Sequence, residues 1–253
     1  MPPSQSHAPG STPRDPILLV GPDTQLQRTL AEELRAMRKP VLRAYSMQHA
    51  IDEASRFACP PSALLIPEDW ILPEGFEEQR AELQIRAGSL RLIPIAVGRR
   101  PDEKRRSVLR QTGIHLALFG RFGRHALRFQ INRALSRDAT RVPRGDLRAP
   151  VEWRTRTYSA GRQKAVRCYS LSIGGAYFVT PRPWVVGSEI SLELRIAGPS
   201  RLLDGRILYT KTTGDSERPS LPGGMAVAFR PLSPQLRNVI KRDLTVSRCG
   251  LEV

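Results

Sequence analysis

From Pro16 to Arg137, five short apolar runs alternate with five amphipathic stretches. The runs are PILLVG, PVLRAY, SALLI, RLIPIAVG and IHLALF. Each is short and bounded by turn formers, the pattern of a strand buried on both faces of a parallel sheet. Parallel strands need crossovers, and the stretches between the runs have helical period. Asp23 or Thr24 can cap the first helix, which sets Leu26, Leu30, Leu34 and Met37 on one face. Ser46 can cap the second; a third follows Gly75; Pro101 starts and Gly113 ends the fourth. Five βα units in succession predict a flavodoxin-like three-layer sandwich over residues 15–137.

After SRDATRVPRG the period changes to two. VEWRTRTYSA alternates and is rich in β-branched and aromatic residues, and EISLELRI alternates cleanly. QKAVRCYSLS, GGAYFVT, RLLDGRILYTKT and MAVAFRPL read as further strands, with Gly205 as a candidate bulge. SPQLRNVIKRDLTV is an amphipathic helix with Ser233 as cap and Pro234 in its first turn. Short antiparallel strands with a closing helix predict a small β-barrel over residues 150–246. Residues 138–149 then form a linker, and residues 1–14 and 247–253 are tails, the first rich in Pro and Ser.

The formal net charge is +16 and 40% of the residues are hydrophobic, enough for two cores and a field that attracts anionic partners. Most of the basic excess is Arg, which a GC-rich genome would also supply. Cys59, Cys168 and Cys249 have neither disulfide-framework nor zinc spacing and fit a reducing cytoplasm. No apolar run has the length of a membrane span, and the N-terminus has no signal-peptide core. His7, His49, His115 and His125 have no metal or triad spacing, Ser172 has no nucleophile elbow, and no Walker loop is present, so an enzyme is not expected.

The strand and helix order of residues 15–137 resembles the receiver domain of response regulators. That family needs acidic residues after the first and third strands for magnesium and phosphoryl transfer. Here Gly21 and Pro22 precede a lone Asp23, and the third strand runs into Pro67. Asp69 precedes Pro73 at receiver-like spacing but sits about two residues too far along. Val97-Gly98 follows the fourth strand without Ser or Thr, and Gly120 stands where the family has Lys. A lone carboxylate cannot supply the several oxygens magnesium takes. The resemblance therefore implies a pseudo-receiver used as a protein-binding surface, with phosphorylation of Asp69 as the minor alternative.

The second half, about residues 141–245, resembles the PilZ domain, a family of small barrels that typically bind cyclic di-GMP. The RxxxR segment before the first strand is RGDLR, with Arg144 and Arg148, followed by Ala149, Pro150 and Val151. The second family motif, Asp or Asn and then x-Ser-x-x-Gly, is SLSIGG at residues 170–175. Ser172 and Gly175 match it; Ser170 replaces the acidic or amide residue. LPGGMAVAF resembles the family's Gly-rich lead-in to a hydrophobic strand.

The chemistry fits that ligand. Guanine presents O6 and N7 as paired acceptors that match the arginine fork, and phosphate accepts the same fork with charge assistance. Arg144 and Arg148 can wrap one ligand, and Arg141 can add a contact. Gly174 and Gly175 let backbone approach and aim N–H groups at an anion. Ser170 can accept one hydrogen bond from guanine but cannot hold a bidentate pair. The alternative reading makes the arginines a solvated linker and SLSIGG a plain turn.

By the resemblance, the first expectation is a non-enzymatic cytoplasmic regulator that binds cyclic di-GMP and switches protein contacts in motility or other surface behaviour. The second is a PilZ-like adaptor that lost the nucleotide through Ser170 and acts by protein contacts alone. Nucleic-acid binding ranks third: the charge and VEWRTRTY suggest it, but no helix-turn-helix or zinc signature supports it. No cofactor or metal is expected.

Overall fold

The structure is a computed structural model that describes residues 15–135, 148–196, 200–212 and 221–253. The first part is a parallel sheet with strands β1 (Ile17–Val20), β2 (Val41–Ala44), β3 (Ala63–Pro67), β4 (Ile93–Gly98) and β5 (Leu116–Phe119) in the order β2-β1-β3-β4-β5. Helices α1 (Gln25–Ala36), α2 (Met47–Glu53), α3 (Phe76–Arg86), α4 (Glu103–Gln111) and α5 (Arg124–Leu135) alternate with them. This is the flavodoxin-like arrangement expected from the periodicity. β1, β3 and β5 are buried along almost their whole length, which is why they read as unbroken apolar runs.

Thr24 caps α1, its Oγ1 accepting from the Gln27 amide at 3.3 Å, and Ser46 caps α2 at 3.0 Å to the His49 amide. The buried face of α1 is Gln27, Leu30, Ala31 and Leu34; Leu26, expected in that stripe, is 43% exposed. Residues four apart advance 40° beyond a full turn, so a Leu26-Leu30-Leu34 line drifts off the core. Gln27 takes the place because its amide donates to the Val20 carbonyl at 3.1 Å, pairing a backbone group at the end of β1. α4 starts two residues after Pro101 rather than at it.

The second part is a closed barrel of β6 (Arg148–Ser159), β7 (Arg162–Ser172), β8 (Gly175–Val179), β9 (Glu189–Arg195), β10 (Ser200–Lys211) and β11 (Gly224–Phe229), ordered β10-β11-β8-β7-β6-β9. Pairing of β9 with β10 closes it. Val151, Cys168, Leu171, Phe178, Leu192, Leu194, Ile207, Met225 and Val227 fill the interior. Helix α6 (Pro234–Ser247) packs Ile240 and Leu244 against that core; Ser233 caps it, accepting from the Leu236 amide at 3.3 Å. Gly205 is not a bulge: it pairs in register with Phe229 and Ile190, and the irregularity falls between Ile207 and Tyr209. Glycine stands at 205 because a Cβ there would run into the Ala228 carbonyl of the neighbouring strand.

The residues group into two compact units. One contains residues before Arg99 together with Glu103–Ile114; the other contains Arg99–Asp102 and everything from His115, so β5 and α5 are grouped with the barrel. Among the described residues no helix is long and apolar enough to cross a membrane.

Candidate functional site

At the carboxyl ends of β1 and β3, Asp23 and Glu68 are each paired with arginine. Asp23 accepts from Arg43 at 2.8 Å and from Arg28 at 3.4 Å, and the Arg43 hydrogen bond holds its carboxyl below the usual range. Asp69 is exposed, on a short 3-10 turn over Glu68–Trp70. Its neighbour Glu68 pairs with Arg105 of α4 at 3.1 Å, and Arg105 also donates to the carbonyls of Glu68 and Ile71. Gly98 has no Cβ where the Glu68 side chain passes. The Glu68–Arg105 pair thus lies beside the end of β4. Among the described residues, no three His, Cys, Asp or Glu side chains converge as a metal site.

The barrel differs. Its strands alternate, so the residues that do not enter the core form an outer face on β7, β8, β11 and β10. Tyr169, Tyr177 and Ala226 are buried there, with Val179, Tyr209 and Leu221 packed on them. Beside this cluster lies a cavity of about 150 Å³ lined by Arg148, Ser170, Ser172, Gly174, Gly175, Tyr177, Leu208, Tyr209, Ala226 and Ala228. Small residues make the floor; Arg148 and two tyrosines make the walls. Four of the expected ligand residues, Arg148, Ser170, Ser172 and Gly175, therefore converge on one concave surface. Arg141 and Arg144 lie outside the described residues.

Each has a local reason for its place. Arg148 opens β6 and pairs in register with Ser172. Ser172 Oγ donates to the Gly175 carbonyl at 3.1 Å, closing the turn, so towards a ligand it can only accept. Ser170 is 8% exposed and lies between Pro150 and Tyr177 on the neighbouring strands. Gly175 has a structural duty first: a Cβ there would lie well inside 3.0 Å of the Val227 carbonyl oxygen. Close strand approach thus explains the glycine before any anion is invoked. Motif reading missed Tyr209 and the alanine floor. Period-two alternation places Tyr209 opposite Ile207 only once the register shift between them is known.

A larger cleft of about 450 Å³ is lined by Tyr158, Ser159, Glu189, Ser191, Asp204 and Arg230. Its polar groups already pair, Ser191 with Asp204 at 2.7 Å and Arg230 with Glu189 at 3.2 Å. None of the residues of the RGDLR or SLSIGG segments lines it.

The outer face also touches α5. His125 Nε2 lies 2.7 Å from the Tyr169 carbonyl and Asn132 donates to the Tyr169 hydroxyl at 3.1 Å. Burial pushes the Tyr169 phenol up to about 12 and the His125 imidazole down. His125, neutral in the folded state, then protonates more readily when unfolded. Its contribution to stability is present above the ordinary histidine value of 6.5 and is lost as pH falls below it. Urea unfolding should show a loss of stability between about pH 7 and pH 5.5. His125→Gln should flatten that slope, and an equal slope in the variant would refute the assignment.

Comparison with known proteins bears on the second half of the chain. The PilZ domain family model matches residues 139–245. Comparison with curated proteins gave no match. Among solved structures, the PilZ domain of YcgR from Escherichia coli with c-di-GMP is 17% identical and covers 42% of this chain and 92% of that one, with a TM-score of 0.32. K. pneumonia MrkH in its apo state is 18% identical over 42% of this chain and 51% of that one, at 0.33. The Borreliella burgdorferi PlzA protein in complex with c-di-GMP is 11% identical over 42% and 40%, at 0.30. The chain thus spans less than half of PlzA and about half of MrkH. Matched motif, strand order and closed barrel agree: the chain carries a PilZ domain at residues 139–245.

Proposed function

We propose that the barrel binds cyclic di-GMP on its outer face and that the bound nucleotide alters protein contacts in a signalling system governing motility or other surface behaviour. The observation that carries this reading is the convergence of Arg148, Ser170, Ser172 and Gly175 on one cavity. Arg148 faces a guanine edge or a phosphate; Ser172 and Ser170 accept from guanine N–H groups; Tyr209 offers a face for stacking. The cavity, at about 150 Å³, is below the roughly 300 Å³ that encloses a small-molecule ligand. The described residues would therefore hold part of the nucleotide, and Arg141 and Arg144 would take the rest. In this reading the α/β part is a pseudo-receiver, whose acidic chemistry is replaced by the Glu68–Arg105 pair and which serves as a protein-docking surface.

The second reading, an adaptor without nucleotide, is favoured by one observation: Ser170 is short and nearly buried at the position where the family uses Asp or Asn. Calorimetric titration of cyclic di-GMP separates the two. Binding in the native protein that weakens at least tenfold in Arg148→Ala, the scale of one charge-assisted hydrogen bond, supports the effector. No heat from the native protein supports the adaptor.

A further inference from the structure

A bulge in β7 connects the ligand cavity to helix α5. In the pairing with β8, Cys168 faces Phe178 and Ser170 faces Tyr177, and Tyr169 between them drops out of register. On the other side Cys168 faces Trp153 and Ser170 faces Pro150, so in that pairing the extra residue lies on β6, between Pro150 and Trp153. A bulged residue leaves the ladder, and a buried carbonyl needs another donor. His125 of α5 supplies it, 2.7 Å from the Tyr169 oxygen, with its ring edge-on to the tyrosine at 4.5 Å. Since a carbonyl only accepts, Nε2 carries the proton. Asn132, two helical turns on, holds the hydroxyl of the same tyrosine at 3.1 Å.

Tyr169 is thus gripped at backbone and tip by one helix, and the next residue in the chain is Ser170. Its ring leads on across the sheet. Tyr169 meets Tyr177 at 6.0 Å and 81°, and Tyr177 meets Tyr209 at 6.3 Å. Tyr177 and Tyr209 both line the cavity. Two routes, one along the β7 backbone and one through edge-to-face and tilted rings, therefore join α5 to the cavity surface.

We infer that His125 and Asn132 are positioning residues that hold the β7 bulge so that Ser170 faces the ligand, and that occupancy of the cavity is read out as a tightening of α5. The second clause rests on the function proposed above. The coupling is reciprocal: what steadies the bulge for the nucleotide steadies α5, and the converse.

Hydrogen exchange on the full chain tests this, followed in segments spanning residues 124–135, 168–172 and 189–195. In the ligand-free protein, His125→Leu should speed exchange at 168–172 about tenfold, the worth of one hydrogen bond, and leave 189–195 unchanged. His125→Gln, whose amide can donate to the same carbonyl, should restore the native rate. Unchanged exchange at 168–172 in a folded His125→Leu protein overturns the positioning role. Tyr169→Phe keeps the ring and loses only the bond to Asn132; it is read the same way should His125→Leu not fold. With cyclic di-GMP added, exchange at 124–135 should slow in the native protein and not in His125→Leu. Heat of binding without slowing of α5 overturns the readout. No heat from either the native protein or Ser170→Asp refutes the nucleotide reading instead, and the ligand-free comparison still decides whether α5 holds the bulge.

Discussion

Ser170→Asp is expected to tighten cyclic di-GMP binding about ten- to a hundredfold, the worth of a hydrogen bond to a charged acceptor at roughly 1.5–3 kcal/mol. A carboxylate can accept N1–H and N2–H₂ of guanine together, whereas a hydroxyl accepts one of them. The site favours the charge: Arg148 lines the same cavity, and the chain carries a net +16. Without ligand the substitution works the other way. Ser170 is 8% exposed, and a carboxylate there loses solvation that only partners restore. The variant should therefore melt below the native protein when free and gain more from saturating nucleotide. Paired titration and melting curves check both halves. Equal affinity in the native protein and the variant would mean that position 170 does not meet the guanine edge.

Gly175→Ala is expected to destabilise the barrel by about 3 kcal/mol, near the upper end for forcing atoms into a packed site. The added methyl would lie well inside 3.0 Å of the Val227 carbonyl oxygen, a backbone atom held in the β8–β11 ladder. A flexible side chain could swing aside; a paired strand must shift as a whole. Gly123→Ala is the control, because a Cβ there meets nothing within 4 Å. Thermal melts should separate the two by about 10 °C. Coincident melts would show that β8 and β11 part without cost. Loss of nucleotide binding in Gly175→Ala would not by itself mark Gly175 as a ligand contact, since the floor of the cavity moves with it.

Much of the fold was legible because its signals are local. A hydroxyl before a helical run caps it, as Thr24, Ser46 and Ser233 do. A buried parallel strand needs apolar residues on both faces, so β1 and β3 announce themselves. The site was legible in part. Arg148, Ser170, Ser172 and Gly175 were named from motif spacing, and they share a cavity. The structure adds that Gly175 answers first to the neighbouring strand.

What local patterning could not carry depends on register between distant segments. Leu26 and Gln27 are adjacent on α1; which one turns inward was decided by the end of β1, where the Val20 carbonyl needs a donor. Gly205 and Leu208 are near neighbours on β10, yet the irregularity falls beside Leu208 because register is set jointly by β9 and β11. The bulge at Tyr169 exists only in the pairing of β7 with β8, and its carbonyl finds its donor 44 residues away on α5. A slip of one residue turns a strand's side chains to the opposite face. The sequence alone therefore determined the elements, their caps and the motif residues that share the cavity. The tertiary structure decided which faces look outward, since that is a property of pairings between strands that no single stretch contains.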